Sequence, residues 1–146
     1  MTTIFNPAPA RQINDDDFKL IDFFTPNETE AEFYLNKKID TEEDIKNASE
    51  EFLKKGIKNV IITLGEKGCY FANKKENFFI NAFKLKKPVL DTTGAGDAFN
   101  GAFAVALSKD LDIKEALTFS NKVAGISTTK QGAAASMPSL EDLKNY

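Results

Sequence analysis

The chain has 146 residues, 42% of them hydrophobic, a net charge of −3 and a pI near 5.1. That supplies a core for one ordinary globular domain, and the acidic balance argues against a nucleic-acid partner bound through its phosphates. With no His and a single Cys, Cys69, His triads, His metal sites, cysteine zinc sites and an internal disulfide are excluded. No apolar run approaches the ~20 residues of a membrane span. The start, MTTIFNPAPAR, lacks the pattern of a signal peptide, so a cytoplasmic setting is expected.

A short strand is predicted over Thr3–Phe5, cut off by Pro7 and Pro9. Asp15–Leu20 reads as a short helix and Ile21–Thr25 as a strand that ends at Pro26. Asn27 can cap a helix over Glu28–Leu35, with Glu28 and Glu30 in its positive first turn. Thr41 opens the next helix, which puts Ile45, Ala48 and Phe52 on one face and stops at Gly56. Asn59–Leu64 is apolar and β-branched without alternation, the pattern of a strand buried on both faces of a parallel sheet. Gly65–Gly68 turns the chain into a strand over Cys69–Ala72, and another follows around Phe78–Ile80. Asp97–Ser108 is a helix reached through glycines. Asp112 caps a further helix to about Ile126, with Ile113, Ala116, Leu117, Ser120 and Ala124 as its inner stripe, and Ser139 starts a terminal one. The whole reads as one α/β domain over residues 1–146, with 13 Phe and no Trp serving the core.

Charge is uneven along this frame. Residues 1–50 hold 12 acids and 5 bases, residues 51–90 hold 3 and 9, and residues 91–146 hold 7 and 5. The basic middle reads first as a solvated face and second as a surface that could meet an anion.

The segment richest in chemistry is Leu90–Gly101, LDTTGAGDAFNG. Gly94 and Gly96 stand directly before a helix, where glycine lets the backbone approach a ligand closely. The helix start adds free N–H groups and partial positive charge, and together these make an anion hole suited to a phosphoryl group. Asp97 stands at its mouth. It either caps the helix or accepts a proton from an attacking hydroxyl, the base role in phosphoryl transfer. GxxxxGK[ST] is absent, and Phe99 occupies the position of the third glycine in a dinucleotide fingerprint. Asn27 and Glu30, three apart at a helix start, have the spacing of oxygen ligands for Mg²⁺ held largely through water; otherwise they are an N-cap and a dipole partner. ITLGEKG, Ile62–Gly68, is a strand end with two glycines, where nucleotides commonly lie across α/β sheets.

DTTGAGDAFNG resembles the C-terminal signature of the PfkB carbohydrate kinases. NPAPA, TPNETEAE and ITLGEKG, in this order, resemble the ribokinase branch of that family. The resemblance covers residues 1–146 and corresponds to the C-terminal half of the family's doubly wound, ribokinase-like α/β sheet with flanking helices. It implies ATP-dependent phosphorylation of a sugar's primary hydroxyl, with ribose the first expectation and fructose another. Asp97 would be the catalytic base, and the amides of Gly94, Ala95, Gly96 and Asp97 would stabilise the transferring phosphoryl. Asn27 would meet ATP phosphates, and Glu30 with it would place Mg²⁺. Thr63, Gly65, Glu66, Lys67 and Gly68 would line the nucleotide site, with Gly96 adding a backbone contact and Asn121 near the adenine. A monovalent-cation site, usually K⁺, would draw on Asp91, Thr93, Ser127, Lys130, Gly132 and Ser136, several through backbone carbonyls.

The resemblance further implies a homodimer in the full-length family and a preceding half that carries the lid and the sugar-binding residues. Without that half the chain is expected to be inactive by itself and to expose a sheet edge. The alternatives are a non-catalytic nucleotide-binding module and one subunit of a split kinase.

Overall fold

The computed structural model describes all residues, 1–146. The chain divides into two compact units: Met1–Gly65 with Cys69–Phe79, and Glu66–Gly68 with Ile80–Tyr146.

The first unit is built on a sheet with strands in sequence order: β1 (Ile4–Phe5), β2 (Phe23–Phe24), β3 (Asn59–Thr63), β4 (Cys69–Asn73) and β5 (Asn77–Ile80). β1, β2 and β3 run parallel, with Ile4 opposite Phe23 and Phe24 opposite Val60. β4 returns antiparallel, Val60 facing Ala72 and Thr63 facing Cys69. The parallel pattern expected from β3 thus holds on one side only. A parallel return needs a crossover of a dozen residues or more, and the turn at Gly65–Lys67 is a single 3-10 turn. Both faces of β3 are nonetheless covered, since Val60, Ile61 and Ile62 are all fully buried.

Between β2 and β3 lie α1 (Glu28–Leu35) and α2 (Glu42–Lys54). Both open with reciprocal capping boxes, Asn27 with Glu30 and Thr41 with Asp44, which satisfy amides a helix start leaves free. α2 buries Ile45, Ala48, Ser49 and Phe52. Phe52 meets Phe24 at 4.9 Å in a T-shaped pair, and Phe18 meets Phe24 edge-on at 6.1 Å. Phe18 sits on a six-residue 3-10 helix, Asp15–Leu20, where a short helix is expected from sequence. Phe18, Phe24, Phe52 and Phe71 are core material as expected, whereas Phe33 and Phe79 are exposed. Truncating Phe52 to Ala would cost about 3–5 kcal/mol.

The second unit pairs α3 (Ala95–Ser108) with α4 (Ile113–Ser127) and ends in α5 (Leu140–Lys144). Ala98, Ala102 and Val123 form a core cluster flanked by Phe119 and Leu143. α3 begins at Ala95, two residues before the expected Asp97, because Gly94 takes a left-handed conformation at φ +78° and serves as the N-cap. On α4, Ala116, Leu117 and Ser120 are buried as expected, but Ile113 and Ala124 are only half-buried. Asn121, Val123, Ile126 and Ser127 are buried instead, so the inner face is rotated from the expected stripe.

Candidate functional site

In the first unit the relevant residues gather at the C-terminal ends of parallel strands, where ligands of open α/β sheets bind. Asn27 bridges in parallel to Thr63, and the Thr63 amide donates to Pro26 O at 2.9 Å. The fold therefore brings Asn27, Glu30 and Thr63 together. The Asn27 carboxamide accepts from the Glu30 amide at 2.8 Å, and Glu30 Oε2 accepts from the Asn27 amide at 2.8 Å. Both side chains thus perform the capping role. Partial burial pushes the Glu30 carboxyl up, opposed by the hydrogen bond from the Asn27 amide. A half-desolvated carboxylate with its second oxygen free of the cap has the donor chemistry of a Mg²⁺ ligand that works alongside phosphate oxygens and water. Gly65 is exposed at φ +55°, with no atom within 4 Å of where a Cβ would stand. The backbone there can be approached closely.

In the second unit, Glu66 and Lys67 are exposed, whereas Gly68 is buried at φ +104°. A Cβ on Gly68 would collide with the backbone of Ile80–Ala82, so packing alone demands glycine. Asp91, Thr93 and Gly132 meet just before the start of α3. Asp91 binds two loops at once: Oδ1 accepts from the Thr93 amide at 2.9 Å and Oδ2 from the Gly132 amide at 2.9 Å. Its side-chain bond with Thr93, then the Thr93 and Gly132 amides, hold the carboxyl down at about 2. The Leu90 and Asp91 amides both donate to Thr128 O, at 2.8 and 3.1 Å.

The start of α3 is open. Gly94 offers no capping side chain. The Ala95 amide turns back to Thr92 O at 3.2 Å, and helical bonding resumes with the Ala98 amide on Gly94 O at 2.9 Å. The Gly94, Gly96 and Asp97 amides remain as free donors, so of the four amides expected from sequence only that of Ala95 is taken up by the chain. Asp97 occupies the N3 position and is exposed, and its carboxylate makes no capping bond. The helix-capping alternative for Asp97 is thereby removed.

The other expected cation-site residues lie near by along the chain. The Ser127 and Ser136 hydroxyls are buried and donate to Ala124 O and Ala133 O, each at 2.7 Å. The Lys130 ammonium pairs with Asp142 Oδ2 at 2.8 Å. No group of three or more His, Cys, Asp or Glu side chains stands ready for a metal. A cation here would rely on Asp91 and backbone oxygens, which suits a weakly bound monovalent ion better than a transition metal. Asn121 is 8% exposed and its Nδ2 donates to Asn81 O at 3.3 Å, so it is a buried helix residue and no solvated one.

Three residues at this site escape sequence reading. Thr128 acts through a carbonyl and Ala133 through close approach, and neither leaves a signal in residue type. Asp142 does leave one, because Ser139-x-x-Asp142 is a capping-box pattern.

The sequence matches the pfkB family of carbohydrate kinases over residues 1–140, and the chain belongs to that family. It is 44% identical to ribokinase of Staphylococcus aureus over 144 residues, covering 98% of this chain and 47% of that protein. It superposes on the crystal structure of ribokinase from Thermotoga maritima with a TM-score of 0.88 at 42% identity, covering 99% of this chain and 48% of the other. With the ribokinase of Arabidopsis thaliana, solved with ribose and ATP, the TM-score is 0.90 at 30% identity, covering 99% and 46%. The chain thus spans about half the length of the relatives it matches. No helix is long and apolar enough to cross a membrane.

Proposed function

We propose that these 146 residues supply the nucleotide-binding and catalytic half, C-terminal in the complete protein, of a kinase that transfers the γ-phosphoryl of ATP to the primary hydroxyl of ribose. The observation that carries this reading is the start of α3, where three unbonded amides, of Gly94, Gly96 and Asp97, and an uncommitted carboxylate share one turn. The Gly96 and Asp97 amides would receive the transferring phosphoryl, and the helix dipole would add to their field. Asp97 would take the hydroxyl proton as the oxygen attacks. The free Gly94 amide would join the Gly96 and Asp97 amides, and Ala95, whose amide bonds Thr92 O, would shape the turn. Asn27, Thr63, Gly65, Glu66, Lys67 and Gly68 would attend the nucleotide, with Asn121 towards its base and Glu30 towards Mg²⁺. Asp91, Thr93, Ser127, Lys130, Gly132 and Ser136 would surround a K⁺ ion, which would steady the loop behind Gly94 by its field. Cytoplasmic placement and a homodimer belong to the same reading.

Ribose is favoured by the similarity to ribokinases and by ATP and ribose in the Arabidopsis complex. The chain matches only about half of these relatives' length, and in this reading the other half binds the sugar, so these residues alone would not turn over ribose. Fusing the chain behind the first half of the Staphylococcus aureus enzyme tests both points. The fusion should phosphorylate ribose and the 146 residues alone should not. A silent but folded fusion would contradict the kinase reading, and turnover by the chain alone would contradict the division.

A further inference from the structure

We propose that the Lys130–Asp142 ion pair makes the terminal helix α5 a strut that positions the Gly94 turn, so that both residues are positioning residues for the anion hole; this rests on the kinase reading above. The segment after α4 backs directly onto that turn. Gly132 donates to Asp91 Oδ2 at 2.9 Å, and a Cβ on Gly94 would stand only 3.1 Å from Ala133 Cβ and 3.2 Å from its Cα. Whatever holds residues 130–133 therefore sets where Gly94 can sit.

That holder is Asp142. Its Oδ2 accepts from Lys130 Nζ at 2.8 Å, from the Ser139 amide at 2.8 Å and from the Ser139 hydroxyl at 2.9 Å. One oxygen thus closes the cap of α5 and grips the loop. The helix is itself pinned, since Lys122 on α4 donates to Leu143 O at 2.8 Å and Lys86 donates to Asn145 O at 3.1 Å. The Tyr146 ring packs edge-on to Phe83 at 6.2 Å. Lys130 and Asp142 are 40% and 31% exposed, so their pair is less screened than a fully exposed one. A five-residue helix with no other evident task acquires one here, as a rigid stop behind the glycine turn.

Amide spectra and hydrogen exchange of the whole chain test this, with Lys130→Met, Lys130→Arg and Asp142→Asn. The Asn variant keeps an oxygen for the Ser139 cap and so guards against a simple loss of folding. Lys130→Met should speed exchange at the Gly132 amide about fivefold, the scale of a lost half-exposed ion pair. It should also move the Gly94–Asp97 resonances. Asp142→Asn should do the same, Lys130→Arg should restore both signals, and the Val60 and Ile61 amides should stay fixed throughout. Gly94–Asp97 resonances that stay put in the Met and Asn variants would overturn the strut, as would a Met effect that Arg does not reverse. ATP added to the unmodified chain is a separate arm. Silence of the Gly96 and Asp97 amides there would count against the kinase reading, while the exchange data alone decide the strut.

Discussion

α1 and α3 both begin with an acidic residue at the third helical position, yet the two starts differ. At α1, Glu30 reaches back to the Asn27 amide and Asn27 reaches forward to Glu30, so the helix end is closed on itself. At α3, Gly94 has no side chain to reach forward and Asp97 does not reach back. The same divide separates α3 from α2 and α5, each of which has a reciprocal box. A closed start has spent its donors on the chain's own stability. An open start keeps donors and charge for something outside, and in a kinase that something is a phosphoryl group.

The largest effect should come from breaking the open end. Asp97→Asn in the complete kinase should lower the rate of phosphoryl transfer by about 10²- to 10⁴-fold, the range of a lost general base. Its thermal midpoint should hardly move, because the carboxylate makes no capping bond. A rate loss accompanied by unfolding would place Asp97 with the caps after all. Next comes Gly94→Ala. It forces a Cβ into a φ of +78° and to within 3.1 Å of Ala133, and should cost about 1–2 kcal/mol in urea unfolding.

Closing residues should behave in the opposite way. Asn27→Ala removes a reciprocal cap and should cost about 1 kcal/mol of stability. Glu30→Gln keeps an acceptor for the Asn27 amide and should leave stability nearly unchanged, yet weaken the Mg²⁺ dependence of transfer. Stability equal to the parent in Asn27→Ala would dissolve the contrast between the two helix starts.

The smallest effect is a pH dependence. Asp91 is held at about 2 against an ordinary 3.8. A depressed carboxyl contributes stability that is fully present above about pH 4 and is lost as the pH falls towards about 2. The gap in urea midpoint between the parent chain and Asp91→Asn should therefore be widest near neutrality and close by pH 2. A gap that persists at pH 2 would show that packing, and not the charge on Asp91, sets its value.

Local chemistry explains what could be read in advance. Asn27, Thr41, Asp112 and Ser139 each cap the helix expected of them, because a cap is decided within four residues. The apolar run of β3 likewise announces a strand with both faces covered. What the residues left open needed geometry. The letter of Asp97 fits either a cap or a base, and only the geometry, with no cap bond beside the left-handed turn at Gly94, argues against the cap. The short turn at Gly65–Lys67 makes β4 antiparallel, a feature of topology that β3's composition does not carry. The burial of Asn121 depends on a partner 40 residues away, and the Lys130–Asp142 pair closes across 12 residues that include a loop and a 3-10 turn. The division of the chain into two compact units left no mark in composition.

Amide resonances of the 146-residue chain titrated with ATP report which helix starts are free to receive a phosphate. Asp44 and Asp142 supply the internal reference, since their amides are already bonded to Thr41 and Ser139 at 3.2 Å each. The Gly96 and Asp97 amides should move in a saturable way while those of Asp44 and Asp142 do not. Movement at the capped amides with silence at Gly96 and Asp97 would contradict that assignment.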